Sequence, residues 1–367
     1  MVTLGDIFRQ HGPPYCKRYA DRLSASQRQA LHAIATCRTE ALGGHVYHCA
    51  ACGETRYSYH SCRNRHCPQC QHAAAQQWLI AQQDLLLPVP YFLLTFTLPA
   101  ELRTVARQHP RLIYNLLFRA SAAAAQELAR DPRFIGGQLG LIGILQTWAR
   151  NLTYHPHIHY LVPGGGWDPA TQIWRAARPD FLLPVKALSV LFRAKFRDGL
   201  RKSALFRNIP PEVWQQEWVV HCLPVGNGAP ALKYLTPYVF QVAISNRRIV
   251  SLENDQVSFV YTDARTRQRH TCTLEALAFI DRFLQHVLPK GFCKVRYYGF
   301  LGPRQRTTLQ TVRHWFAQAT VKDSAAAQPV TAAPPPAILR CPKCGQVMTV
   351  VATLRPTARC PPQAAAK

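Results

Sequence analysis

The stretch that decides the fold reads Tyr154-His155-Pro156-His157-Ile158-His159-Tyr160-Leu161-Val162-Pro163, and Gly164-Gly165-Gly166 follow it. Its aliphatic residues predict a β-strand, in which alternate side chains point to one face. His155, His157 and His159 would then present three imidazoles together, and neutral imidazole is a common ligand of divalent metals. Pro156 lacks a backbone donor and belongs at the beginning or edge of a strand, so His157 and His159 are the safer ligands. The alternative is a polar sheet face without metal.

A second apolar run, 141–148, comes shortly before this strand and predicts its antiparallel partner in a hairpin. On that arrangement Gln146 lies across from the histidines, and its amide oxygen is a candidate third ligand. The alternative is a glutamine with some other partner. Strand patterns, including the buried run 91–99, occur beside helical patterns at 71–87, 101–131 and 184–206. The chain therefore predicts an α+β fold.

The charge of the chain points to its partners. The formal net charge of the 367 residues is +25, from 44 Lys and Arg against 19 Asp and Glu. Duplex DNA carries about one negative charge per 1.7 Å of helix axis, and basic proteins gain affinity by releasing its counterions. Nucleic acid is the first partner to expect, and an anionic membrane surface the second. No apolar run approaches the roughly 20 residues that span a bilayer, and the N-terminal residues do not resemble a signal peptide, so we expect a cytoplasmic protein.

The chain contains 13 cysteines, most of them in two clusters near its ends. In a reducing cytoplasm such a density indicates metal binding and not disulfides. Two CxxC knuckles, Cys49–Cys52 and Cys67–Cys70, have a separation that suits a four-cysteine zinc ribbon. Four thiolates leave no open coordination position, so this Zn²⁺ is predicted to be structural.

Four further candidate ligands lie in the same region: Cys37, His45, Cys62 and His66. They form either a second zinc site or an incidental group, and we favour the second site. The basic residues Arg63 and Arg65 stand between the ligands, which favours contact with phosphate.

The C-terminal end carries a third knuckle, Cys341–Cys344, after an Ala/Pro-rich stretch. Only Cys360 remains there as a partner, so the sequence predicts an incomplete ribbon without bound zinc. The expected organisation is a helical and zinc-binding, DNA-binding domain (1–87), a catalytic domain (88–318), a linker (319–340) and a partial zinc-knuckle tail (341–367).

Several motifs, in order, resemble the rolling-circle transposases of the insertion-sequence ninety-one family. They are the cysteine and histidine series from Cys37 to Cys70, His155-Pro156-His157-Ile158-His159, Val162-Pro163-Gly164-Gly165, Tyr234-Leu235-Thr236-Pro237-Tyr238, Asn246-Arg247-Arg248 and Lys294-Val295-Arg296-Tyr297-Tyr298-Gly299. The similarity covers about residues 10 to 315. The histidine motif resembles the family's HUH motif, in which two histidines flank a hydrophobic residue.

The resemblance implies an HUH-endonuclease palm, an antiparallel sheet flanked by helices, after an N-terminal helical and zinc-ribbon module. It implies Mg²⁺ or Mn²⁺ at His157 and His159, with Tyr234 and Tyr238 as nucleophiles that cut and rejoin single-stranded DNA at the ends of the element. At the position of Gln146 the family often has histidine, which favours a ligand role. Arg247 and Arg248 would contact DNA. The expected location is the bacterial cytoplasm, in association with the nucleoid.

Three other functions fit parts of the sequence. A plasmid relaxase or replication initiator would use the same chemistry, but the N-terminal cysteine cluster and the absence of a GxxxxGK[ST] phosphate loop favour a transposase. A catalytically inactive zinc DNA-binding protein leaves the histidines and tyrosines unexplained. A metallohydrolase would require paired acidic ligands near the histidines, which the sequence lacks.

Overall fold

Five strands form the central sheet of the computed structural model, which describes residues 2–70, 72–83, 85–228, 243–263, 266–320 and 339–357. The helices are α1 (Leu4–Arg18), α2 (Ala25–Thr36), α3 (His72–Gln83), α4 (Arg103–Gln108), α5 (Pro110–Arg130), α6 (Val185–Arg201), α7 (Ala276–Leu284) and α8 (Arg306–Thr320). The strands are β1 (Gly44–His48), β2 (Thr55–Tyr59), β3 (Pro90–Thr97), β4 (Gly140–Trp148), β5 (Tyr154–Pro163), β6 (Gly165–Asp168), β7 (Ile173–Ala176), β8 (Val220–Asn227), β9 (Ile249–Glu253), β10 (Gln256–Thr262), β11 (Arg269–Glu275), β12 (Val295–Gly299) and β13 (Thr349–Leu354).

The central sheet has the strand order β12-β4-β5-β3-β8, with every pair antiparallel. The histidine strand β5 is the middle strand, and the predicted hairpin with β4 is present. One face of the sheet packs against α5 and α6 through a core that includes Phe96, Ile158, Phe118 and Phe192. Burial of each such side chain stabilises the fold by about 1.5–3 kcal/mol, so the histidine strand is held rigidly. The α+β fold class is confirmed.

Pro156 lies in this central strand at a point where the pairing with β4 is irregular. The pairing of β4 with β5 runs from Gln146 opposite His157 to Trp148 opposite Tyr154, so His155 and Pro156 share the space opposite Thr147 alone. This is a β-bulge, one of the few places where a sheet accepts proline. The Pro156 carbonyl accepts a hydrogen bond from the Leu98 amide at 3.0 Å. The bulge explains how a proline can precede His157 in a buried strand.

The N-terminal helices share a core with residues from much later in the chain. Each helix begins with a capping box, formed by Thr3 and Asp6 in α1 and by Ser24 and Gln27 in α2. Phe8 of α1 packs edge to face on Phe283 of α7, with ring centroids 5.3 Å apart. One hydrophobic core therefore spans α1, α2, β10 and α7, and it crosses the expected boundary at residue 87.

The C-terminal segment joins the N-terminal region as well. β13 pairs antiparallel with β1, which also pairs with β2, and the three strands form a small sheet in the order β13-β1-β2. Another three-stranded sheet has the order β11-β10-β9. Across the described ranges, no helix combines the length and the apolar character that a membrane crossing requires.

Candidate active site and metal centres

The histidine face of the central sheet is organised by strand register. Gln146 of β4 and Thr97 of β3 lie on either side of His157, and Ile144 and Thr95 lie on either side of His159. Directly opposed residues of antiparallel strands share a face, so the two histidines, the glutamine and the threonines point the same way. His157 and His159 are each 8% exposed, and Gln146 is 4% exposed. The structure thus brings together the three residues that the sequence predicts as catalytic-metal ligands.

His157 has one ring nitrogen fixed by the backbone and the other directed at the glutamine. Its Nδ1 lies 2.6 Å from the carbonyl oxygen of His155, so Nδ1 carries the proton and donates it. The Nε2 lone pair then faces the Oε1 atom of Gln146 at 3.1 Å. Two acceptors in contact need either a rotated amide or a cation between them. The Gln146 Nε2 atom is buried and has no hydrogen-bond partner among the described residues.

These donors fit a divalent cation. Adjacent ligands of an octahedral Mg²⁺ at about 2.1 Å from the ion would be about 3 Å apart, which matches the distance between His157 Nε2 and Gln146 Oε1. Burial lowers the pKa of His157 to about 4 and holds the pKa of His159 well below its usual value. Both imidazoles are therefore neutral at pH 7, which is the form that binds metal.

The neighbours of these histidines were not anticipated from the sequence. Thr95 Oγ1 is hydrogen-bonded to His159 Nδ1 at 2.9 Å and fixes the orientation of that ring. Arg103 donates to Nδ1 of His155 at 2.9 Å, so the third histidine of the motif is engaged by a guanidinium. The signal for Thr95 was present in β3, where Thr95 and Thr97 interrupt an apolar run at a spacing of two.

The two predicted nucleophiles, Tyr234 and Tyr238, lie outside the described residues. Of the four arginines predicted to contact DNA, Arg63, Arg65 and Arg247 are exposed and Arg248 is half-buried. Arg65 donates to the carbonyl oxygens of Phe292 at 2.6 Å and Pro289 at 2.9 Å. Arg248 donates to the carbonyl oxygens of Val260 and Arg150, and burial lowers its pKa. Arg65 and Arg248 thus connect segments of the chain.

The cysteines group differently from the prediction. The predicted tetrad Cys49, Cys52, Cys67 and Cys70 does not form; instead Cys37, Cys62, Cys67 and Cys70 form a cluster, here called the compact tetrad, with all sulfur atoms within 4.8 Å of one another. The first knuckle lies at the tip of the β1–β2 hairpin, whereas the compact tetrad lies at its base, where the Arg38 amide donates to the His60 carbonyl oxygen. Two five-residue strands hold the two ends about 17 Å apart.

The predicted second site of Cys37, His45, Cys62 and His66 does not form either. Two of its cysteines belong to the compact tetrad. His45 Nδ1 lies 3.3 Å from Thr353 Oγ1 of β13. His66 Nε2 accepts a hydrogen bond from the Leu288 amide at 3.3 Å, and burial lowers the pKa of its imidazole to about 3. Each imidazole thus makes a polar contact with a distant segment of the chain, His45 with β13 and His66 with Leu288.

The sequence predicted that the C-terminal knuckle is incomplete, but the structure supplies it with two further cysteines. Cys341 and Cys344 lie next to Cys49 and Cys52, and the four sulfur atoms fall within 4.8 Å of one another. We call this group the split tetrad. The expectation failed because the partner knuckle is separated from it by about 290 residues, and Cys360, the partner considered from the sequence, lies outside the described residues.

Comparison with known proteins identifies the family. The family described as "Putative transposase" matches residues 140–308, and the "Transposase zinc-binding domain" matches residues 7–98. No solved structure matches.

Two relatives match over most of the chain. "Putative transposase y4qJ" of Sinorhizobium fredii (strain NBRC 101917 / NGR234) is 43% identical over 323 residues, which cover 83% of this chain and 81% of that protein. "Transposase for insertion sequence element IS801" of Pseudomonas savastanoi pv. phaseolicola is 30% identical over 291 residues, which cover 73% and 68%. As the resemblance predicts, the chain belongs to the insertion-sequence ninety-one (IS91) family of transposases, with the family's zinc-binding domain.

Proposed function

We propose that this transposase nicks and rejoins single-stranded DNA at the ends of its element through a metal-assisted 5′-phosphotyrosine intermediate. The observation that carries the proposal is the 3.1 Å approach of His157 Nε2 to Gln146 Oε1, with His159 beside them on the buried face of the central sheet. The rings of His157 and His159 have centroids 4.7 Å apart and are nearly perpendicular, at 88°. Neutral imidazole is a common ligand of divalent cations, and the amide oxygen of Gln146 adds the kind of donor that Mg²⁺ and Mn²⁺ prefer.

The roles of the side chains follow from their contacts. His157, His159 and Gln146 would hold Mg²⁺ or Mn²⁺, which would polarise the scissile phosphate as a Lewis acid. All three donors are neutral, so they leave the full charge of the ion available to the phosphate. The His155 carbonyl and Thr95 Oγ1 fix the two rings, an arrangement that maintains ligand geometry in metal sites.

The strand-transfer step conserves the number of phosphate ester bonds. The hydroxyl oxygen of Tyr234 or Tyr238 attacks the phosphorus, the bond from phosphorus to the 3′ oxygen breaks, and the leaving oxygen takes a proton to become a 3′ hydroxyl. In the reverse step a 3′ hydroxyl attacks the phosphotyrosine and releases the tyrosine. The role of the tyrosines rests on their sequence motif. Two of them would allow two successive transfers.

The rest of the chain supports DNA as the substrate. A net charge of +25 favours binding to the phosphate backbone of DNA. Because its substrate would be DNA, the protein would act at the nucleoid in the bacterial cytoplasm. All four cysteines of the compact tetrad lie within the match to the zinc-binding domain. The knuckle Cys49–Cys52 also lies within that match but does not belong to the compact tetrad. We assign structural Zn²⁺ to the compact tetrad, because four thiolates complete a tetrahedral coordination shell.

A covalent-adduct assay tests the proposal. Labelled single-stranded DNA from the ends of the element is incubated with the protein and Mn²⁺, and the products are separated on a denaturing gel. We expect a metal-dependent adduct that Tyr234→Phe or Tyr238→Phe reduces and the double variant abolishes. Tyr261→Phe, which removes the hydroxyl of a half-buried tyrosine in β10, is the matched control and should leave the yield unchanged. Tight DNA binding without an adduct from the wild-type chain would instead identify a non-catalytic DNA-binding protein.

A further inference from the structure

The split tetrad joins the two ends of the chain. The Sγ atoms of Cys49 and Cys344 lie 3.4 Å apart, and those of Cys52 and Cys341 lie 3.5 Å apart. A disulfide would need about 2.05 Å, so these sulfur atoms are not bonded to each other. In a tetrahedral zinc site, Zn–S bonds of about 2.3 Å place the sulfur atoms nearly 3.8 Å apart. The observed distances are close to that value.

The two knuckles of the split tetrad have the same backbone conformation. In the first, the Gly53 amide donates to the Cys49 carbonyl at 2.9 Å, and the Cys49 amide donates to the Glu54 carbonyl at 2.9 Å. In the second, the Gly345 amide donates to the Cys341 carbonyl at 2.8 Å, and the Cys341 amide donates to the Gln346 carbonyl at 2.7 Å. Gly53 and Gly345 adopt φ of 73° and 76°, a conformation that glycine accepts without strain. Each knuckle thus presents two sulfur atoms in the same way.

The apolar core around the split tetrad is too small to hold the small sheet by itself. Its buried members are Cys49, Cys341 and Met348, whereas most residues of β2 and β13 are exposed. Small modules with so little apolar burial generally require a metal or a disulfide. The described cysteines form no disulfide, which leaves a metal as the source of stability.

We infer that the split tetrad is a second structural zinc site that holds the C-terminal segment, residues 339–357, on the β1–β2 hairpin. Each knuckle supplies two of the four thiolates, so neither end of the chain binds this zinc alone. The metal closes the polypeptide across about 290 residues, and β13 becomes a strand of the N-terminal zinc-binding module. Zinc is the expected ion because four thiolates in a tetrahedral arrangement select it.

Zinc analysis of the purified full-length chain gives the first test. We expect Cys341→Ser/Cys344→Ser and Cys49→Ser/Cys52→Ser each to contain one zinc fewer per chain than the wild type. The control Cys272→Ser/Cys293→Ser changes two cysteines outside both tetrads and should retain the wild-type content. Wild-type zinc content in either knuckle variant would overturn the inference.

A second test keeps all of the cysteines. A specific protease site is inserted in the Ala/Pro-rich stretch between residues 321 and 338, and the cut protein is passed over a size-exclusion column. We expect the C-terminal fragment to co-elute with the rest of the chain, and to separate from it after chelation or when the cut chain also carries Cys49→Ser/Cys52→Ser. Separation while zinc is present, or co-elution after complete chelation, would contradict the inference. DNA cleavage is not measured in either test, so the outcome is independent of the proposed transposase chemistry.

Discussion

The histidine centre and the compact tetrad are both groups of candidate metal ligands, but they differ in charge and in coordination capacity. The histidine centre offers two neutral imidazoles and an amide oxygen on the rigid strands β4 and β5, so it leaves an ion with its full charge and with open positions. The compact tetrad offers four sulfur atoms, which as thiolates outweigh the charge of Zn²⁺ and fill its coordination shell. The comparison teaches that the chemistry of the donors separates the proposed catalytic metal from the structural one.

The largest expected effect comes from removing the compact tetrad. Cys37 and Cys67 are buried in the same core as Phe8 and Phe283, so loss of the metal would destabilise the N-terminal module and that core together. Structural zinc contributes about 10 kcal/mol to folding in small modules. We expect Cys37→Ser/Cys67→Ser to lower the melting temperature by about 10 °C or more, measured by differential scanning calorimetry. Cys272→Ser/Cys293→Ser is the control, and an equal melting temperature for the two double variants would contradict a structural role.

His286 is a buried histidine that belongs neither to the histidine centre nor to a cysteine tetrad, so it shows what burial alone does to an imidazole. His286 is 2% exposed, and burial lowers the pKa of its imidazole to about 4, against about 6.5 in an unfolded chain. Between these values the unfolded chain binds more protons, so stability rises with pH, is complete above about 6.5 and is lost as the pH falls toward 4. The contribution is on the order of 3 kcal/mol.

We expect His286→Gln to reduce the loss of melting temperature between pH 6.5 and 4, measured by thermal unfolding. The exposed residue His32 provides the control, since His32→Gln should leave the pH dependence as in the wild type. A wild-type pH profile for His286→Gln would show that its burial has no consequence for protonation.

Gln146 tests whether the histidine centre has a third ligand. Its Oε1 atom lies 3.1 Å from His157 Nε2. Gln146→Ala would therefore remove the proposed oxygen ligand of the metal and leave a cavity in a rigid sheet. We expect the rate of adduct formation to fall by about 100-fold, at the upper end of the 10–100-fold losses seen when metal-site partners are removed. Gln146→His, which supplies an imidazole donor at the same place, should retain most of the rate. Equal rates for wild type and Gln146→Ala would exclude a ligand role.

Thr95 should show a smaller effect, because it acts through His159. Loss of the hydrogen bond between Thr95 Oγ1 and His159 Nδ1 frees the ring to rotate. We expect Thr95→Val to raise the Mn²⁺ concentration for half-maximal adduct formation by about 10-fold, with little change in the maximal rate at saturating metal. Thr95→Ser keeps the hydroxyl and should restore the wild-type value. A Thr95→Ser variant as impaired as Thr95→Val would indicate a packing defect.

Local patterns in the sequence predicted the elements that surround the histidine centre. The alternation of His155, His157 and His159 predicted β5, and the apolar run before it predicted β4, so the position of Gln146 across from His157 followed from a short hairpin. The contacts of Thr95 and Arg103 depend on how distant segments pack against β5. Spacing along the chain does not determine such contacts.

Pairing between remote segments was the part that the sequence did not predict. The CxxC spacing identified each knuckle correctly but did not indicate which knuckles meet, because β13 reaches β1 from the other end of the chain. The shared core of α1, α2 and α7 is another contact of this kind. Charge patterns had a similar limit, since they did not predict that the guanidinium groups of Arg65 and Arg248 donate to backbone carbonyls of distant segments.

The most direct test of the account is the adduct yield of His157→Ala/His159→Ala, measured in the same preparation as its zinc content and its affinity for single-stranded DNA. If the histidines hold the catalytic metal and the cysteines hold structural zinc, the adduct should fall to about 1% of the wild-type yield or less, in line with the loss of a major electrostatic contribution to catalysis. Zinc content and DNA affinity should stay at wild-type values, as in the control His32→Ala/His314→Ala, which removes two exposed helical histidines. A wild-type adduct yield in His157→Ala/His159→Ala, or a loss of zinc that accompanies the loss of adduct, would contradict this division of roles.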